Sequence, residues 1–442
     1  MRTWNKLLKA YRFLPILGAV ALSLFTMACI QESASTLQTE VIRDESGAFQ
    51  LLRDGEVLRI QGAGGTRYLE TLSELGGNTL RTWGVDELER NIDGVPFLDY
   101  AHAKGFLVVA GIWVQHERHG FDYRDPVQVE EQREQVRAAV EAYRDHPAIL
   151  LWGLGNEVEA FRADDDDTHV WQEWNELAKI VKELDPSRPV MATVAGVTSE
   201  KIEKVQRYGD GFDILGVNAY AGAIVTGSLL KEAGFDRPFV LAEFGPRGHW
   251  EVPVTDWGAP IEASGNEKAE HYLETYQTVI EDAGDLCIGS FVFLWGHKQE
   301  MTRTWYGMFL ESGEKLPAVD AMAFAWTGGY PETRCPELVS VRFDAHLQRV
   351  SPKSLWRAEA EVVDPQGQSL RFQWEIISEQ SDPSIGGDRE SVPTSHPSAI
   401  RESNGPEVLI EAPEAPGAYR LFLTVINESQ AATTANFPFK VQ

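Results

Sequence analysis

From about Phe49 to about Gly329, short apolar runs alternate with longer stretches in which apolar residues recur every three or four positions. The runs Val57–Gln61, Thr79–Trp83, Leu107–Ile112, Ile149–Leu154, Pro189–Val194, Ile214–Val217, Phe239–Glu243 and Ser290–Trp295 predict buried strands. Between them, Val129–Arg144 places Val136, Ala139, Val140 and Tyr143 on one helical face. Val170–Leu184 does the same with Trp171, Trp174, Leu177, Ile180 and Val181, and Asp185-Pro186 stops it. Eight strands in such alternation predict an α/β fold, the (β/α)8 barrel, whose usual length is ~250 residues. A doubly wound open sheet is the competing architecture. It calls for a Gly-x-Gly-x-x-Gly turn after the first strand, and Gly62-Ala63-Gly64-Gly65 lacks that spacing.

Beyond Gly329 the texture changes. Pro331, Cys335 and Pro336 mark a hinge, and strictly alternating segments follow, such as Phe372–Ile376 and Tyr419–Val425, separated by turn clusters such as Asp364-Pro365-Gln366-Gly367. This pattern predicts a small all-β, immunoglobulin-like sandwich over residues 336–442. Ser378–Glu407 is long and polar and predicts an excursion from it. Alternation puts Trp374 on one face with Phe372 and Ile376, so core packing is expected of it. The sandwich is expected to be a spacer, and a chain cut at about Gly329 to keep its activity.

Composition narrows the partners. Of 442 residues, 40 are Lys or Arg and 67 are Asp or Glu, a formal net charge of −27, which disfavours nucleic acid and anionic surfaces. The first residues are read apart from the fold. Arg2, Lys6, Lys9 and Arg12 precede an apolar stretch, Phe13–Phe25, too short to span a membrane, and Thr26-Met27-Ala28-Cys29 resembles a bacterial lipobox. Residues 1–29 are expected to be a lipoprotein-type signal peptide, with Cys29 lipidated, and 30–47 a flexible tether ahead of a barrel over 48–330. Export follows, with a lipid anchor in the outer membrane or at the surface of a Gram-negative cell. Cys287 and Cys335 then either pair or stay as buried thiols. The acidic run Asp164–Asp167 is expected to be a solvated turn and helix N-terminal charge rather than a cation site.

Two apolar runs end in a carboxylate: Leu151-Trp152-Gly153-Leu154-Gly155-Asn156-Glu157 and Pro238-Phe239-Val240-Leu241-Ala242-Glu243. A carboxylate at the end of a buried strand costs desolvation unless it is hydrogen-bonded or functional. Two of them on strands of one parallel barrel face each other across a cleft, the arrangement needed to cleave a glycosidic bond.

These residues resemble glycoside hydrolase clan A, in particular the family 2 catalytic barrel. The matching pieces are Gly77-Asn78-Thr79-Leu80-Arg81-Thr82-Trp83 on strand two, Trp152–Glu157 on strand four, Asn218-Ala219-Tyr220 on strand six, Ala242-Glu243-Phe244-Gly245 on strand seven and Phe293-Leu294-Trp295-Gly296 on strand eight. The family's N-terminal sandwich domains have no counterpart in this stretch of chain. The resemblance implies that Glu157 is the general acid/base and Glu243 the nucleophile of a retaining reaction, with no cofactor and no metal. It implies that Arg81 and Tyr220 hold Glu243 ionised, that Asn156 meets the sugar 2-hydroxyl, and that Trp295 lies under the reacting sugar. Trp113 and His116, with Gln115, Glu117 and His119, follow strand three as candidate subsite residues. His249, Trp250 and Trp257 do so after strand seven. The expected substrate is a neutral β-linked glucan or related glycan. The same residues serve a β-glucan transglycosylase equally well, and a non-catalytic surface glycan-binding lipoprotein is the alternative of another class.

Overall fold

The computed structural model of the chain describes residues 37–160, 166–282 and 284–442. The expected signal peptide, Cys29 and the start of the tether lie outside the described residues, as do Asp164 and Asp165. Eight parallel strands close into a barrel: Ile60–Gly64, Thr79–Arg81, Leu107–Ile112, Ile149–Asn156, Val190–Ala195, Ile214–Asn218, Phe239–Phe244 and Cys287–Val292, here barrel strands 1 to 8. Each pairs with its neighbours in chain order, and strand 8 returns to strand 1, so the sheet has no edge. The expected helices are present. Pro126–Tyr143 starts with Pro at its first turn, where Asp125 accepts from the Val127 amide, and Thr168–Leu184 buries Trp171 and Trp174.

Three boundaries differ from expectation. Strands 1 and 8 begin three residues later and three earlier than predicted. A Cβ on Gly62 would stand 2.3 Å from the Phe291 ring, so the glycine-rich stretch is strand interior making room for a large neighbour, not a turn. Thr39–Arg43, within the expected tether, pairs with Phe49–Arg53, and Glu56–Leu58 completes a three-stranded sheet. Its Val41, Leu51 and Leu58 pack on Ile60, Leu150, Met191, Ile214 and Ile288 near the start of the barrel strands. That sheet closes the end of the barrel opposite Glu157 and Glu243.

The C-terminal part is a sandwich of two four-stranded sheets. One contains Glu337–Phe343, Leu355–Val363, Glu407–Glu411 and Ile400–Asn404. The other contains Arg349–Val350, Ala432–Val441, Gly417–Asn427 and Leu370–Ser378. Trp374 and Ile376 lie in its core as the alternation implies. Sandwich and barrel belong to one compact unit, residues 37–442. A buried polar cluster joins them. Asn436 donates to Glu262 at 2.6 Å and accepts from Arg420 at 2.6 Å, while Arg420 pairs with Glu379 and Lys268 with Glu262. Burial alone would raise the Glu262 carboxyl, but Lys268 and Arg420 outweigh it and hold the group below its ordinary value. Cys287 and Cys335 are separate buried thiols, which settles the pairing question. Burial pushes Cys287 up to about 11 and Cys335 well above the usual range, so both are poor nucleophiles.

Candidate active site

The C-terminal ends of the barrel strands open into a cavity of about 940 Å³, within the size range of small-molecule sites. Glu157 and Glu243 both line it, delivered by strands 4 and 7. Strand 4 is fixed from behind by Trp174, fully buried, whose indole N–H donates to the Leu154 carbonyl at 2.9 Å. Two left-handed residues then turn the chain out of the strand: Gly155 at φ 72° and Glu157 at φ 52°. At Gly155 a Cβ would meet Val158 at 2.6 Å, so glycine is required for space as well as torsion. For Glu157 the torsion costs on the order of 1–3 kcal/mol. The Glu157 amide repays part of this by donating to the Thr193 carbonyl at 2.7 Å.

The two carboxylates have opposite environments. Glu243 is buried, and its Oε1 accepts from Arg81 Nη1 at 2.8 Å and from the Trp83 indole at 2.8 Å. Its Oε2 accepts from the Tyr220 hydroxyl at 3.3 Å. Arg81 also reaches the Ala242 carbonyl at 2.9 Å and Asn156 Oδ1 at 2.7 Å, so one guanidinium ties strands 2, 4 and 7 together. These donors stabilise the anionic carboxylate. Among the described residues, the side chain that donates to Glu157 is a neutral one, Asn218 Nδ2 at 2.8 Å. Burial first, and the charge of Glu243 second, raise it from 4.5 to about 7. Glu243 thus sits in an ion pair with Arg81, while Glu157, with no cation on it among the described residues, keeps its proton up to about 7.

Asn156 Oδ1 accepts from both Arg81 and Asn218, which leaves its NH2 as the end available to a ligand. Trp83 is half-buried in the cavity wall. Trp250 is 61% exposed and stands edge-on to Tyr220 at 5.6 Å. Trp113 lines the cavity, stacked on His116 at 4.9 Å. His249 lines it too, with Nδ1 3.2 Å from the Tyr306 hydroxyl, and burial lowers its proton affinity.

Other expected residues fall elsewhere. His116 is 1% exposed behind Trp113, with Nδ1 2.7 Å from Arg118, and does not line the cavity. Burial, with Arg118 beside it, pushes it down to about 3. Glu117 turns to His169 at 3.0 Å and His119 to Asp388 at 3.1 Å, so these groups serve three different partners. Trp295 touches the cavity but is 1% exposed. Its indole donates to the Tyr68 carbonyl and its ring packs on Phe309 and Trp326, which leaves little face for a sugar. Trp257 lies under Arg349 of the sandwich. The expected solvated Asp167 is 4% exposed and accepts from the Trp171 indole at 2.7 Å.

Sequence reasoning passed over Trp83 and Asn218, although both stood inside quoted motifs. It also passed over Glu87, which accepts from the Trp83 amide at 2.6 Å and whose burial raises it above its ordinary value. The least expected wall residues are Ser384–Asp388, from the excursion of the sandwich. The sandwich is not merely a spacer.

Residues 92–248, which carry both glutamates, match the family model for the glycosyl hydrolases family 2, TIM barrel domain. The chain is 25% identical over 178 residues to the probable mannan endo-1,4-beta-mannosidase F of Aspergillus flavus, covering 40% of this chain and 33% of that protein. It is 28% identical over 157 residues to mannan endo-1,4-beta-mannosidase F of Aspergillus clavatus, covering 35% and 29%. The chain thus spans about a third of the length of these curated relatives. Among solved structures, Bacteroides uniformis beta-glucuronidase 2, covalently bound to cyclophellitol-6-carboxylate aziridine, superposes with a TM-score of 0.50 at 14% identity. That match covers 91% of this chain and 48% of the other, and speaks to the fold alone.

Proposed function

We propose that this chain is a retaining β-glycoside hydrolase acting on a neutral β-linked glycan. The observation that carries the reading is the opposite electrostatic setting of two carboxylates on one cavity: Glu243 held by Arg81, Trp83 and Tyr220, Glu157 protonated up to about 7. In the first step a Glu243 oxygen attacks the anomeric carbon. The bond from that carbon to the bridging oxygen breaks, and Glu157 gives its proton to the departing oxygen. In the second step Glu157, now anionic, takes a proton from water, which attacks the same carbon and releases Glu243. The Asn156 NH2 is placed to donate to a sugar hydroxyl as charge develops.

β-Mannans come first among candidate substrates, because the curated relatives that align with the barrel are named as mannan endo-1,4-β-mannosidases. The test is to screen the chain against β-mannans, β-glucans, xylans and galactans with products separated by size, beside Glu157→Gln and Glu243→Gln. Shortened products from the wild type and none from either variant are expected. Undiminished cleavage by either variant overturns the assignment, and products longer than the starting oligosaccharide move it to transglycosylation. Export with a lipid anchor on Cys29 belongs to the same proposal. Metabolic labelling with a fatty acid should mark the wild type and not Cys29→Ser.

A further inference from the structure

We propose that the sandwich loop around Ser384–Asp388 is the end wall of the glycone half of this cleft and limits how many sugar units bind on that side; this rests on the glycosidase reading above. The loop is anchored at two places on the barrel rim. At one, Asp388 accepts from Arg118 at 3.3 Å and pairs with His119 at 3.1 Å, in the segment after barrel strand 3. At the other, Lys298 donates to the Gly387 carbonyl at 2.8 Å and the Met301 amide donates to Glu390 at 2.8 Å, in the segment after strand 8. Glu390 is buried and its other oxygen accepts from the Ser384 amide at 3.0 Å, so one carboxylate both shapes the loop and fastens it.

Strands 1 and 2 lie between these anchors in the closed order of the barrel. The loop therefore arches over the sector that contains Arg81 and Trp83, the residues holding Glu243. The opposite sector, beyond Glu157, is lined by Val197, Val225 and Leu229, and among the described residues no sandwich segment lines it. A general acid protonates the leaving-group oxygen, so the leaving group lies toward Glu157 and the glycone toward the arch.

The loop sequence suits this position. Gly386 and Gly387 have φ of 63° and 77°, and a Cβ on them would stand 3.0 Å from Arg118 and 3.0 Å from Lys298. The left-handed turn favours glycine at both positions, and the missing Cβ atoms leave room for the two cations. Between these polar fastenings Ile385 is held 59% exposed at the cavity. There its side chain offers a surface to the apolar face of a sugar ring.

The experiment is calorimetric titration of the full chain in a Glu157→Gln background, so that ligand is not consumed, with manno- and cello-oligosaccharides of graded length. In the parent, affinity should stop rising once the wall is reached. With residues 384–388 replaced by two glycines, affinity for the shortest ligands should fall, and each further sugar should lower Kd roughly threefold. Asp388→Ala, which releases only the Arg118 and His119 anchor, should shift the length dependence the same way by a smaller step. A gain for longer ligands cannot arise from misfolding. An identical length dependence in the parent and both variants overturns the proposal. Because the readout is binding, the wall can fail while the turnover assays on the two glutamates succeed, and the reverse.

Discussion

Replacing Glu243 by Gln should lower the proton affinity of Glu157 while leaving its burial in place. Glu157 stands at about 7 against an ordinary 4.5, a preference for the neutral form worth about 3 kcal/mol. Burial is the larger cause and the Glu243 charge the next. Gln preserves the shape of the side chain, removes the charge, and leaves Arg81 without its counter-ion. All of this favours ionised Glu157, so its value should drop below about 7 yet stay above 4.5, because desolvation, the larger cause, persists. Carbon-13 NMR titration of chain labelled at the glutamate carboxyls reads this directly, with Glu157→Gln identifying the resonance. In the wild type the same group sets the alkaline limb. On the proposed mechanism only its protonated form donates to the leaving group, so kcat/KM should fall about tenfold per pH unit above about 7. A Glu157 that titrates near 4.5 in the wild type, or that is unmoved by Glu243→Gln, refutes the electrostatic account of the site.

The same shift has a stability consequence. A carboxyl that binds its proton more tightly folded than unfolded contributes stability fully below its unfolded value and loses it as pH rises through about 7. Glu157→Gln should therefore raise Tm relative to wild type at pH 8 and not at pH 4, and an equal effect at both pH values counts against the shift. Arg81→Lys keeps the charge but loses the fork that joins Glu243, Ala242 and Asn156, so kcat/KM should fall roughly a hundredfold, about 3 kcal/mol; activity above half of wild type would show that the fork is dispensable. A chain ending at Gly329 removes Arg420 and Asn436 from buried Glu262 and opens the cavity wall. Contrary to the expectation drawn from sequence, it should lose about 3 kcal/mol or more of stability along with its substrate binding. A barrel fragment with the Tm and oligosaccharide affinity of the full chain would contradict that.

The carboxylates were legible because a charged side chain at the end of an apolar run leaves a local signature: the run itself announces the desolvation that something must offset. Glu157 and Glu243 are on the cavity for that reason, and Arg81 and Asn156 followed from short motifs. The shape of the cleft carries no such signature. Whether Trp295 is a platform or a packed core residue is decided by Phe309 and Trp326, which reach it from a later loop and helix. Whether His116 faces a ligand is decided by Trp113 stacked in front of it. Trp83 and Asn218 gain their roles only from partners across the barrel. The extreme case is Asp388. Its partners Arg118 and His119 lie some 270 residues earlier, and its own neighbourhood, polar and glycine-rich, reads locally as solvent loop. The glycines that make it look unstructured are those that let its backbone lie against Arg118 and Lys298. Chemistry here is written along single strands, where one residue's environment is set by its chain neighbours. Reach and fit are written in loops that meet only after folding, so substitutions at 384–388 should move specificity while those on the strands move rate.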